Sequence, residues 1–175
     1  MFNNCNKKMF GLAGQTVDTY GLDKTGQIKY SFDTFGFREG NDYNVHPKFV
    51  FFGASTLAGI GVHEQKRFSR YFENSWNFGL CGNYIDEESI TNYFTFKKLN
   101  LSDTKIVFCW KNNDPVALLD MINRLPNNVY HCVTTKLDRE KTCLYPKNLD
   151  YDVSKTHWGP ITHQKFYKLL CYFLK

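Results

Sequence analysis

The sequence predicts an α/β protein: a three-layer α/β/α sandwich around a central parallel sheet, preceded by a β-rich N-terminal extension. Three observations carry that prediction. Short unbroken apolar runs recur along the chain, as strands buried on both faces require. Stretches with apolar residues at helical spacing separate them, so that strand and helix alternate four times. The length of 175 residues suits about one domain.

The extension is read as residues 1–47. Within it, Thr16–Tyr20 and Gln27–Tyr30 flank the polar, Gly-containing Asp23–Gly26, the pattern of a hairpin. Residues 48–175 form the main domain, a single folding unit on which the extension packs. Its first strand is the apolar run Phe49–Phe52, after which Phe68, Tyr71 and Phe72 recur at helical spacing. Asn77–Leu80 makes a weaker second strand, and Ile90, Tyr93 and Phe94 mark a helix begun near Asp86-Glu87-Glu88. Ile106–Trp110 is the third strand. Asp114-Pro115 then opens a helix, an acidic cap followed by proline at the first helical position, with Leu118, Leu119 and Ile122 on one face. Val129–Val133 is the fourth strand. Pro160 opens the last helix, which turns Phe166, Leu169, Leu170 and Phe173 inward.

Composition narrows the classes. Charged residues make up 22% and aromatics 17%, a balance that excludes disordered, collagen-like and coiled-coil chains. No run approaches the ~20 apolar residues of a membrane helix, and no apolar core follows Lys7-Lys8, so an unprocessed start is expected, in a protein made for the cytoplasm or exported by another route. The net charge of +5 is spread out, locally dense only at Lys7-Lys8, Lys97-Lys98 and Lys66-Arg67, which argues against a nucleic-acid partner. The six cysteines include no Cys-x-x-Cys pair, and several sit in apolar runs. Buried reduced thiols are expected, and no metal site.

In parallel α/β sheets chemistry collects at the carboxyl ends of the strands. Four polar groups stand there in order. Ser55 lies two residues past the first strand in the small-residue run Gly53–Val62, where a helix N-terminus would favour developing negative charge. A serine that merely caps the helix is the alternative. Gly82 follows the second strand, Asn113 the third, and His157 precedes the last helix. Ser55 could serve as nucleophile and His157 as its base, with the backbone N–H groups of Ser55 and Gly82 and the Asn113 amide as oxyanion donors. Singly, each has an ordinary role: Gly82 a turn, Asn113 a cap, His157 a loop histidine. Their order along the chain is the signal.

This order resembles the four blocks of the SGNH, or GDSL-type, serine hydrolases, whose sheet is flavodoxin-like. Asn77-Phe78-Gly79-Leu80-Cys81-Gly82 matches that family's Asn-x-Gly-x-x-Gly block in full, and Asp33-Thr34-Phe35-Gly36-Phe37-Arg38 is similar to the Asn-x-x-Gly-Phe-Arg segment of its carbohydrate-acyl members. Ala54 stands where Gly-Asp-Ser has Asp, Lys111 where Gly-x-Asn-Asp has Gly, and Ser154 where Asp-x-x-His has Asp. The resemblance implies an esterase acting on small acyl groups, O-acetyl foremost, on a carbohydrate. No cofactor and no metal are needed. With Ser154 in the acid's place, Asp152 or a backbone carbonyl is left to orient His157, as a Ser–His dyad or an atypical triad. Lys111 is a candidate for drawing in an acidic sugar and Trp158 for stacking on a sugar ring. Two alternatives share the fold: an O-acyltransferase, and a non-catalytic carbohydrate-binding or structural descendant.

Overall fold

The computed structural model describes residues 16–18, 28–33, 36–79, 103–110, 129–133, 150 and 157–175. Strands β1 (Thr16–Asp18) and β2 (Lys29–Ser31) pair antiparallel, Val17 opposite Tyr30. Strands β3 (Phe49–Gly53), β4 (Ser75–Gly79), β5 (Lys105–Trp110) and β6 (Val129–Val133) form a four-stranded sheet in the order β4-β3-β5-β6, every pair parallel. Helix α1 (Ser55–Ala58) follows β3, and helix α2 (Pro160–Phe173) follows β6. The molecule is thus an α/β protein built on a parallel sheet. No helix among the described residues is long and apolar enough to cross a membrane.

The apolar runs form strands because both of their faces are covered. Phe51 and Val107 point to one face, where they pack with Phe68, Trp158, Phe166 and Leu170. Val50, Phe52, Ile106 and Phe108 point to the other, where Phe52 stacks on Phe108 at 4.9 Å and also meets Phe78. All six strand residues are at most 3% exposed. Burial of each such side chain contributes roughly 1.5–3 kcal/mol against its exposed state.

Helix α2 begins with proline at its first position, where the missing N–H has no intrahelical partner to lose. Its buried stripe is His163, Phe166 and Leu170, continued by Leu174; Leu169 and Phe173 are only half-buried. The spacing at Phe68, Tyr71 and Phe72 does not form the expected α-helix. Two 3₁₀ turns stand there, Glu64–Lys66 and Phe68–Tyr71, separated by Arg67 in an extended conformation (φ −65°, ψ 142°). A three-residue interval between Phe68 and Tyr71 suits the 3₁₀ period as well as one face of an α-helix.

Among the described residues β4 is an edge of the sheet, and a side chain pairs with the middle of it. Asn41 acts as one residue of a further strand: its Oδ1 accepts the Asn77 N–H at 2.7 Å and its Nδ2 donates to the Asn77 carbonyl at 3.2 Å. Trp76 Nε1 donates to the Asp42 carbonyl at 2.7 Å. Strand β2 packs at the far end of α1, where Ile28, Tyr30 and Phe32 form a second apolar cluster with Ala58 and Ile60. The expected helices at Asp86–Phe94 and Asp114–Ile122 lie outside the described residues.

Candidate active site

The strand order creates the site. From β3 the chain crosses to β4 on one side, then returns to β5 on the other side of β3 and continues outward to β6. Connections diverging from neighbouring strands leave a crevice at their carboxyl ends, the usual ligand position in open parallel sheets. Gly53 closes β3 level with Gly79 of β4 and Cys109 of β5. Ser55 follows at once, at the carboxyl end of β3.

Helix α1 is a single turn. Gly59 ends it in the left-handed region (φ 72°), and its N–H closes on the carbonyls of Ser55 and Thr56. A helix this short has little macrodipole, so the expected stabilisation of negative charge by a full helix N-terminus does not apply. Ala54, not Ser55, is the N-cap, and no side chain caps the turn. The capping alternative for Ser55 therefore fails. Ser55 is the first helical residue, where its own N–H has no partner within the helix.

Three buried contacts fix this turn. Asn77 Nδ2 donates to the Leu57 carbonyl and to Ser69 Oγ, both at 2.9 Å, while its Oδ1 accepts the Gly79 N–H at 2.8 Å. Gly79 lets α1 lie directly on the end of β4: a Cβ there would stand 2.3 Å from the Ala58 nitrogen. Arg38, 2% exposed, donates from Nη1 to the carbonyls of Ala58 (3.3 Å) and Gly59, and from Nη2 to that of Val62 (2.7 Å). Its guanidinium also lies 4.7 Å from the centre of the Tyr30 ring. Arg38 is presented by a tight loop in which the Asp33 carboxylate accepts the Phe37 N–H at 3.0 Å and the Tyr43 hydroxyl.

His157 comes from the other end of the chain. Its Nε2 lies 3.1 Å from Ser55 Oγ, across 102 residues of sequence. Ser55 is 8% exposed and His157 half-buried, so the pair stands at the boundary of the core. Comparison with protein-family models, curated proteins and solved structures returned no match. What the pair can do rests on its geometry and on the sequence motifs.

Asp150 is tied to the residues that follow His157. Its carboxylate accepts the N–H groups of Ile161 (3.0 Å) and Thr162 and the Thr162 hydroxyl, capping α2 from outside the helix. Its own carbonyl accepts the Gly159 N–H at 3.1 Å. Burial works to raise the Asp150 pKa, but the Thr162 hydroxyl and these N–H groups outweigh it and hold the carboxyl below its ordinary value. Nothing immediately before Gly159 announces a cap of this kind, and the sequence reading missed it.

Trp158 is placed differently from the sugar-stacking expectation. It is 6% exposed and set edge-on against Phe166 at 5.1 Å, so its ring belongs to the core and presents no face to a ligand. His163 is fully buried and stacked parallel to Phe68, whose N–H its Nδ1 accepts at 3.3 Å. Burial, reinforced by Arg67 and Arg38, pushes its pKa down to about 3, so the ring is neutral at physiological pH. Gly82, Lys111, Asn113 and Asp152 lie outside the described residues.

Proposed function

We propose that this protein is a serine esterase of the SGNH type, removing small acyl groups, O-acetyl foremost, from a carbohydrate. One observation carries the reading: the 3.1 Å approach of Ser55 Oγ to His157 Nε2 at the carboxyl edge of a parallel sheet. That distance is the reach a general base needs to take a proton from its nucleophile. On this reading the sheet is the middle of an α/β/α sandwich, with residues 1–47 an extension packed on it.

The chemistry follows from the pair. With Nε2 accepting, the neutral His157 ring carries its proton on Nδ1. Ser55 Oγ attacks the ester carbonyl as His157 takes its proton, and the carbonyl oxygen becomes an oxyanion. The Ser55 N–H, left over by the one-turn helix, is one donor for that charge; the motif resemblance assigns Gly82 and Asn113 as the others. His157 gives that proton to the ester oxygen of the sugar, which leaves as a hydroxyl as its bond to the acyl carbon breaks. The same ring then takes a proton from the water that attacks the acyl-serine and returns it to Ser55 Oγ as the acid is released. No metal or cofactor enters any step.

A fluorophosphonate probe tests the reading. Labelling at Ser55, and acetyl-ester hydrolysis that falls to background in Ser55→Ala, are expected. His157→Ala is expected to lose about as much, because nucleophile and base act as a unit. An unlabelled Ser55, with hydrolysis no faster than in Ser55→Ala, would overturn it.

A further inference from the structure

His163 takes no part in the proposed chemistry, yet it is a fully buried titratable ring. Burial first, then Arg67 and Arg38, keep that ring neutral down to acid pH. With Nδ1 accepting the Phe68 N–H at 3.3 Å, its proton sits on Nε2. Nε2 is buried with no partner among the described residues. A stranded buried donor costs about 1–3 kcal/mol, a loss that an apolar side chain in the same slot would avoid. What histidine supplies there, and leucine cannot, is the Nδ1 acceptor.

The contacts of His163 lie between the two halves of the Ser55–His157 pair. On one side it touches the two residues that follow His157. Its ring lies edge-on to Trp158 at 6.1 Å, and its N–H donates to the Gly159 carbonyl at 3.1 Å. On the other side Nδ1 holds Phe68, the first residue of the 3₁₀ turn Phe68–Tyr71.

The next residue of that turn is tied to the serine. Ser69 Oγ accepts from Asn77 Nδ2 at 2.9 Å, and the same Nδ2 donates to the carbonyl of Leu57, two residues past Ser55. Ser75 Oγ donates to the Ser69 carbonyl at 2.7 Å and pins the turn to β4. Phe68, Ser69, Asn77 and His163 are each at most 2% exposed, so water does not compete for these bonds. The turn is a strut to which both segments of the pair are fastened.

We propose that His163 is a positioning residue: through the Phe68 N–H it sets helix α2, and with it His157, at the distance from Ser55 that proton transfer needs. Apolar packing at Phe166 and Leu170 is non-directional and leaves the setting of α2 along its axis free. A buried hydrogen bond fixes it. A helix rises about 1.5 Å per residue, so a slip of half a residue takes Nε2 out of the about 2.6–3.2 Å reach of a general base. That the distance serves ester hydrolysis rests on the esterase reading; the registration of the two side chains does not.

The His157 imidazole nitrogen signals, read by heteronuclear NMR in the full chain, test the proposal, with Ser55→Ala marking a broken pair. In His163→Leu, which removes the acceptor, the Nε2 signal is expected to move at least halfway to its Ser55→Ala position. In His163→Asn, whose Oδ1 takes the place of Nδ1, it is expected to stay near that of the wild-type chain. The kcat for an acetyl ester should fall about tenfold or more in His163→Leu, with KM within about twofold, and recover to within about threefold in His163→Asn. His163→Asn leaves a void beside Phe68 and should melt below His163→Leu, so a merely structural role would rank the two variants the other way. Should His163→Leu fail to fold, Ser69→Ala cuts the same strut on its other side and is read in the same way. An unmoved His157 signal in the folded variant, or His163→Asn no closer to the wild type than His163→Leu, would overturn the positioning role. A signal that Ser55→Ala itself leaves unmoved would overturn both the role and the pair. A chain that hydrolyses no acetyl ester while its signals follow the expected order would sink the esterase reading and leave the positioning role standing.

Discussion

Ser55 and His157 meet at 3.1 Å, but different physics holds each of them in place. The Ser55 turn is held by buried polar side chains reaching backbone carbonyls: Arg38 on Ala58, Gly59 and Val62, and Asn77 on Leu57. The His157 loop is held by aromatic packing at Trp158 and by one carboxylate, Asp150, clipped over the start of α2. The first arrangement is directional, and the loss of one donor strands several buried acceptors. The second is spread over a core that can relax.

The largest effect is therefore expected at Arg38. Arg38→Met keeps the stem and removes the donors, leaving the buried carbonyls of Ala58 and Val62 to find other partners, while that of Gly59 keeps the Val62 N–H at 3.3 Å. At about 1–3 kcal/mol for each unsatisfied group, partly offset by relief of the repulsion on Arg67, a loss of about 3 kcal/mol or more is expected in urea unfolding. Gly79→Ala comes next. Its methyl would press on the backbone of Ala58, so α1 must shift. A cost of about 1–3 kcal/mol should come with loss of fluorophosphonate labelling at Ser55 in the folded fraction.

Asp150→Ala is the smallest, about 1 kcal/mol, typical of a lost helix cap. It also carries a pH signature. The folded state holds the Asp150 carboxyl below its ordinary value, so its stabilisation is complete above about pH 4, the range of a free aspartate. It is lost as the pH falls through the lower, folded value. The melting temperatures of the wild-type chain and Asp150→Ala should differ by a constant amount at neutral pH and converge in acid. If Asp150→Ala proved more damaging than Arg38→Met, the contrast between the two sides would collapse.

Much of this scaffold is legible in the residues. The strands at Phe49 and Ile106 are readable because a strand buried on both faces must be an unbroken apolar run. The start of α2 is readable because proline is at home only in the first turn. Ser55 and His157 stand out because parallel sheets gather chemistry at strand ends. What stayed hidden depends on distant partners. Arg38 is visible within Gly36-Phe37-Arg38, yet its work is done on carbonyls some 20 residues away. Asp150 caps a helix that begins ten positions later, whereas cap signals in sequence are local. The one-turn length of α1 is set by the left-handed conformation at Gly59, which a run of small residues only hints at.

The span of 102 residues between Ser55 and His157 has a consequence for how the protein is made. Synthesis runs from the N-terminus, so Ser55 leaves the ribosome well before its partner exists. Contacts this far apart in sequence close late, after the loop-closure entropy has been met by other structure. The pair can form only once the loop before α2 has docked on the sheet. Until then the nascent chain carries a serine with no base beside it, and probe labelling at Ser55 during refolding would time the arrival of the C-terminal helix.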